Sequence, residues 1–212
     1  MNASSDLSKQ IILDKLRKTE STRKAAELLE PDWTQPVFEK PVDLLKSFTS
    51  ELETLAGKVI YCENEAELKT QLSNLLQQKG LSTLFCRDTQ LTHLFQNTIL
   101  LENKPDQFLK MQVAITRCEA LIAKSGSILV SSAHESGRLL NVFPPIHMVV
   151  AYENQLVPFI EDALKVISHR YSNNLPSQIT LVSGASRTAD IEKTLVMGAH
   201  GPKELIVFIV KS

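Results

Sequence analysis

The 212-residue sequence predicts an α/β protein, a largely parallel sheet flanked by helices and preceded by an N-terminal helical arm. Three observations predict it. Short runs of β-branched and apolar residues alternate with segments whose apolar residues recur at helical spacing, as in chains built from βα units. The last third reads strand, glycine turn, helix, loop and strand, and a right-handed crossover of that kind implies parallel pairing. Hydrophobic residues make up 43% and charged residues 22%, the balance of a chain that buries a core.

The N-terminal arm is helical from Ser8 to Leu29, with Ile11, Ile12, Leu16, Ala25, Ala26, Leu28 and Leu29 set among Lys9, Lys15, Arg17, Lys18, Arg23 and Lys24. Asp14, Glu20 and Glu27 dilute its positive charge, which favours a solvated helix face over a membrane or nucleic-acid surface. Pro31, Pro36 and Pro41 then impose an extended connector, with Trp33 and Phe38 as its anchors on its own domain or on a second subunit. This divides the chain into an arm and connector, 1–41, and an α/β domain, 42–212.

Within the domain, a helix is expected over Val42–Leu55 and a strand over Val59–Cys62. Asn64 opens the next helix with Glu67 three residues on, Leu68, Leu72, Leu75 and Leu76 form its apolar face, and Gly80 ends it. A strand at Thr83–Cys86, a brief helix at Leu91–Phe95 and a strand at Thr98–Leu101 follow. VAIT (113–116) and SILVSS (127–132) read as extended, whereas ALIA (120–123) suits a strand or a short helix. IHMVVAY (146–152) reads as a buried strand and Val157–Arg170 as a helix. The closing unit is strand QITLV (178–182), turn SGASRT (183–188), helix ADIEKTLVMG (189–198), loop AHGPK (199–203) and strand ELIVFIV (204–210).

A formal charge of -1 offers no overall field for nucleic acid or an acidic membrane. No apolar stretch reaches signal or membrane-span length, so the expected compartment is the cytoplasm. Cys62, Cys86 and Cys118 stand far apart and read as buried small hydrophobes, with no pattern for a zinc or iron-sulfur site. The five histidines show no metal-demanding spacing, and His147, inside a strand-like run, reads as a satisfied interior or face residue. No metal or cofactor is therefore expected on this chain, and any redox electrons must pass through a partner.

The candidate ligand site is the turn Ser183, Gly184, Ser186, Arg187 and Thr188, where small residues and free N–H groups at a helix start favour an anion and Arg187 adds a forked donor. The alternative is a capping Thr188 and a surface ion pair at Arg187. Asp190 holds Arg187 or acts as a base on a ligand, and His200, beside Gly201 in the next loop, is the best acid-base candidate. Gly126 and Ser127 fit a tight turn or close approach to a ligand. Arg138 lies in the polar loop SAHESGR, long enough to cover a site, with His134 and Glu135 as weaker candidates. The absence of a Gly-x-Ser-x-Gly elbow disfavours serine hydrolase chemistry.

The stretch ITLVSGASRTADIEKTLVMGAHGPKELIVFIV resembles the C-terminal signature of the LUD (lactate utilization) family, Ser-Gly-Pro-Ser-Lys/Arg-Thr-Ala-Asp-Ile-Glu followed by Leu-Gly-x-His-Gly-Pro-x-Glu. Upstream, ITRCEALIAKSGSILVSS and LLNVFPPIHMVV resemble two further family segments, so the likeness covers about residues 113 to 210. Two departures stand out: Ala185 replaces a proline, and Lys124-Ser125-Gly126-Ser127 replaces Glu-Thr-Gly-Thr, which removes the family glutamate at 124. The resemblance implies a fold similar to the NagB/RpiA/CoA-transferase group and an accessory role beside iron-sulfur partners that oxidise L-lactate to pyruvate. The competing expectation is a free-standing enzyme on a small anionic metabolite, such as a sugar phosphate or CoA thioester. A homo-oligomer is left open.

Overall fold

The computed structural model describes residues 3–22, 38–172, 174–188, 196–198 and 200–212, in two compact units, Met1–Glu39 and Lys40–Ser212. The first contains helix α1, Ala3–Thr22, whose side chains from 8 to 17 are exposed. The helix expected to run on to Leu29, and most of the proline connector with Trp33, lie outside the described residues.

The second unit runs α2 (Leu44–Thr54), β1 (Gly57–Cys62), α3 (Glu65–Gln78), β2 (Leu84–Phe85), α4 (Thr89–Phe95) and β3 (Leu101–Glu102). A 3-10 turn at Pro105–Lys110 leads to β4 (Val113–Arg117), β5 (Ala120–Ile122), β6 (Ser127–Ser131) and β7 (Ile146–Tyr152). Then come β8 (Leu156–Val157), α5 (Ile160–Tyr171), β9 (Ile179–Val182), β10 (Arg187–Thr188), β11 (Val196–Met197) and β12 (Glu204–Val210).

Six strands form one sheet in the order β1-β12-β7-β4-β2-β3, and every neighbouring pair in it is parallel. Its inner strands carry apolar residues on both faces, the signature of a sheet covered on both sides. Ile206, Phe208 and Val210 of β12 pack with Leu68, Leu72, Leu75 and Leu76 of α3 and with Leu91 and Phe95 of α4. Leu205, Val207 and Ile209 face the other way, onto Phe48 and Leu52 of α2 and Leu121, Ile128 and Val130 of a smaller sheet. That smaller sheet has the order β8-β5-β6-β9, and its other face packs on Ala163 and Ile167 of α5.

The closing unit differs from the expected crossover. Strands 178–182 and 204–210 both form, but in different sheets: β9 pairs antiparallel with β6, and β12 lies inside the parallel sheet. The side chains explain the split. All of β12 after Glu204 is buried, whereas β9 leaves Ile179 and Leu181 exposed, which suits the edge of the smaller sheet. Val196 and Met197, expected at the end of a helix, instead pair antiparallel with Thr188 and Arg187; residues 189–195 lie outside the described residues. ALIA resolves as a strand, β5.

At the start of α3 the Asn64 side chain accepts the Glu67 N–H at 2.9 Å. The Glu67 carboxylate reaches back to the amide of Glu63 rather than that of Asn64. Asn64→Ala should therefore cost about 1 kcal/mol, read as a lower denaturant midpoint with an unchanged slope; an unchanged midpoint would assign the cap to the Glu67 arm alone.

Candidate functional site

The residues singled out in the sequence fall into two groups at opposite edges of the parallel sheet. Gly126, Ser127, Ser183, Gly184, Ser186 and Gly201 gather near its amino edge, where β1 and β12 begin. Ser127 and Ser183 are joined hydroxyl to hydroxyl at 2.7 Å, and a Cβ on Gly201 would meet that of Ser186 at 3.1 Å. Much of the backbone here is already committed. The Ala185 amide donates to the Leu55 carbonyl at 3.3 Å and the Ser186 amide to that of Pro202 at 2.8 Å. The first of these bonds is one that a proline at 185 could not donate. Arg187 and His200 are exposed. Thr188 pairs through its backbone with Val196, and Asp190 lies outside the described residues.

A cavity of about 460 Å³ opens at the carboxyl edge, lined by Gln90, Arg117, Cys118, Ala133, His134, Val150, Tyr152, Asn154, Gln155, Arg170 and Tyr171. Strand order gives this edge its significance. After β2 the chain moves outward to β3, then returns across β2 to β4 and proceeds toward β7, so successive connections diverge between β2 and β4. Such a switch point leaves a crevice outside the carboxyl ends of the two strands. Asp88 follows β2, and Arg117 ends β4.

Two buried carboxylates hold two guanidiniums at the cavity. Asp88 caps α4 by accepting the amides of Gln90 and Leu91 at 3.0 and 3.2 Å, and its other oxygen accepts from Arg117 Nε at 2.7 Å. Arg117 Nη1 donates to Gln90 Oε1 at 2.8 Å. Glu119 accepts from Ser131 Oγ at 2.5 Å, from Tyr171 Oη at 2.7 Å, and from Arg170 Nη1. His134 Nε2 sits 3.0 Å from the same carboxylate. Burial alone would raise the Glu119 pKa, but hydrogen bonds from His134, Ser131 and Tyr171 outweigh it and hold the group at about 2. Both carboxylate side chains are 0% exposed, whereas Arg117 and Arg170 are 28% and 46% exposed. The negative charge therefore lies behind and the donors face outward.

The loop SAHESGR covers part of this edge and delivers His134 to the cavity. Glu135 turns to α4, where it accepts from the backbone and hydroxyl of Thr89, and Arg138 donates to Ser177 at 2.6 Å. Sequence reasoning missed Asp88, Arg117, Glu119, Arg170 and Tyr171. Glu119 did carry a signal, as a lone carboxylate within the otherwise apolar run CEALIA, where only a paired charge is tolerated.

The cysteines and His147 are interior residues, as their surroundings suggested. Cys62, Cys86 and Cys118 are buried free thiols, and burial pushes Cys62 up to about 11 and Cys118 up to about 12. His147 bonds Thr116 Oγ1 through Nε2 at 2.8 Å, and burial lowers its pKa to about 4. Among the described residues no three His, Cys, Asp or Glu side chains are grouped to hold a metal.

Fold and sequence together define an α/β protein of the LUD domain family: residues 45–210 match that family, and the chain belongs to it. Among its relatives, lactate utilization protein C of Bacillus subtilis is 32% identical over 100 residues, 46% of this chain and 42% of that one. The Geobacillus kaustophilus protein of the same name is 31% identical over 137 residues, 62% and 57% of the two chains. An uncharacterized protein of Neisseria meningitidis is 29% identical over 107 residues, 50% and 46%. The matches thus span about half the length of these relatives. The crystal structure of a DUF162 family protein from Deinococcus radiodurans superposes with a TM-score of 0.60 at 17% identity, covering 80% of this chain and 99% of that one, and shows the same fold.

Proposed function

We propose that this chain is an accessory component of a lactate utilization system, in which iron-sulfur redox partners oxidise L-lactate to pyruvate while the chain itself binds a small anion. The observation that carries the reading is membership of the LUD domain family together with likeness to lactate utilization protein C from several bacteria. The cysteines support the division of labour. A cluster needs thiolates, and these three thiols are buried, apart and held protonated by their surroundings. The proposed division of labour accordingly assigns clusters and electron transfer to partner chains. The reading puts the chain in the cytoplasm, and no helix among the described residues is long and apolar enough to cross a membrane.

Two measurements test this. Tagged chain purified from its native host should bring down a cysteine-rich redox protein, and deletion of its gene should abolish growth on L-lactate as sole carbon source while leaving growth on pyruvate intact. A clean purification with no redox partner, together with unimpaired growth on lactate, would overturn the reading.

A further inference from the structure

We infer that the carboxyl-edge cavity binds a monocarboxylate, gripped by Arg117 and Arg170. The inference takes from the proposed function only that the ligand is a small anion, and assigns it a site and a charge. Three observations carry it.

The first is the inventory of hydrogen-bonding atoms. Tyr152 and Tyr171 donate their hydroxyl protons to Glu65 and Glu119, and the Gln155 amide group donates to the Cys118 carbonyl. Arg117 uses Nε and Nη1, and Arg170 uses Nη1. Nη2 of both arginines, Nε2 of Gln90 and the side-chain amide of Asn154 have no partner among the described residues, and Gln90 is oriented by the bond its Oε1 accepts. The cavity therefore presents unmatched donors beside carboxylates whose oxygens are already engaged, which selects an acceptor-rich ligand.

The second observation is the charge. Asp88 and Glu119 cancel Arg117 and Arg170, so each guanidinium is already offset by a carboxylate. A neighbouring cavity, shared through Gln90, Arg117 and Tyr152, adds Glu65 and Lys69, whose charges cancel, and the ring of His93. With the guanidiniums already offset, a singly charged ligand is accommodated at less electrostatic cost than a phosphate dianion. The third is an orphan: His134 Nδ1 is buried with no hydrogen-bond partner, beside the switch point where ligands of parallel α/β sheets bind. A space of about 460 Å³ holds roughly fifteen waters, so a three-carbon acid leaves much of it wet and a longer acid fills it better.

The test is calorimetric titration of the full chain with pyruvate, L-lactate, 4-methyl-2-oxopentanoate and inorganic phosphate. At least one of the three monocarboxylates should bind, with inorganic phosphate weaker. Arg117→Lys and Arg170→Lys keep the charge but lose the fork, and each should weaken that probe by about tenfold or more. A variant that misfolds would also lose binding, so a second readout uses the wild type: the His134 ring resonances should shift on saturation. The inference is overturned if no monocarboxylate binds, if phosphate binds more tightly than all three, or if both lysine variants bind as wild type does. It is equally overturned if the ring that responds is His200, or if Arg187→Ala alone removes binding, since either result moves the ligand to the amino edge. Growth on lactate is scored separately, so failure here leaves the reading of the lactate system standing.

Discussion

Glu119→Ala is expected to lower the melting temperature by about 10 °C. One carboxylate, wholly buried, accepts from Ser131, Tyr171 and Arg170 and pairs with His134, so its removal strands four polar groups at once. Breaking a buried pair from one side costs about 3–5 kcal/mol, and Arg170, which can turn to solvent, keeps the loss near the lower figure. For a domain of this size each kcal/mol corresponds to about 2–4 °C. The dependence on pH provides a second check. Glu119 titrates at about 2 in the folded chain against an ordinary value of 4.5. Its contribution is therefore complete above pH 4.5 and is lost as pH falls toward 2. The stability gap between wild type and variant should narrow across that window. A gap that stays constant down to pH 2.5 would mean that the carboxylate acts by shape and not by charge.

Gly184→Ala is the other substitution with a large expected effect. Gly184 has φ +85°, and a Cβ there would lie 2.1 Å from the Leu55 carbonyl oxygen and 2.7 Å from the Leu55 Cβ. The left-handed backbone costs about 1–2 kcal/mol, and forcing the neighbour aside about 1–3 kcal/mol more, so a total near 3 kcal/mol is expected. The obstacle is main chain, which has no alternative rotamer to adopt. Thermal melts of the variant should fall by about 10 °C, and a fall of less than 2 °C would show that the end of α2 moves aside freely. Gly126 makes a similar approach, with a hypothetical Cβ 2.4 Å from the Leu52 amide nitrogen. Gly126, which from the sequence alone fits a tight turn or a close approach to a ligand, in the structure closely approaches the backbone of α2, while Gly184 approaches Leu55 just beyond that helix.

Local chemistry was legible in the sequence where it is written in neighbouring residues. The Asn64 cap, the glycine after α3 at φ +66° and the doubly apolar strands at 146–152 and 204–210 all follow from patterns a few residues long. What could not be read is which strands share a sheet. QITLV and ELIVFIV look equally strand-like, and only the exposure of Ile179 and Leu181 on one of them records that it lies at an edge. The cavity was hidden for a related reason. Glu119 meets Arg170 and Tyr171 across more than 50 residues of chain, and Asp88 meets Arg117 across 29, separations at which spacing carries no information. The glycine turn stood out because its residues are contiguous.

The position of β12 between β1 and β7 imposes a schedule on synthesis. Gly57 pairs with Leu205, about 150 residues later in the chain. At about 5–20 residues per second, β1 waits some 7 to 30 s for its partner to be translated. During that interval its backbone groups lack their neighbouring strand, because among the described residues β12 is the only strand that borders β1 in the sheet. An unpaired edge of this kind invites association with other nascent chains. Yield in the cell should therefore depend on chaperone capacity during translation more steeply than the stability of the finished protein would suggest.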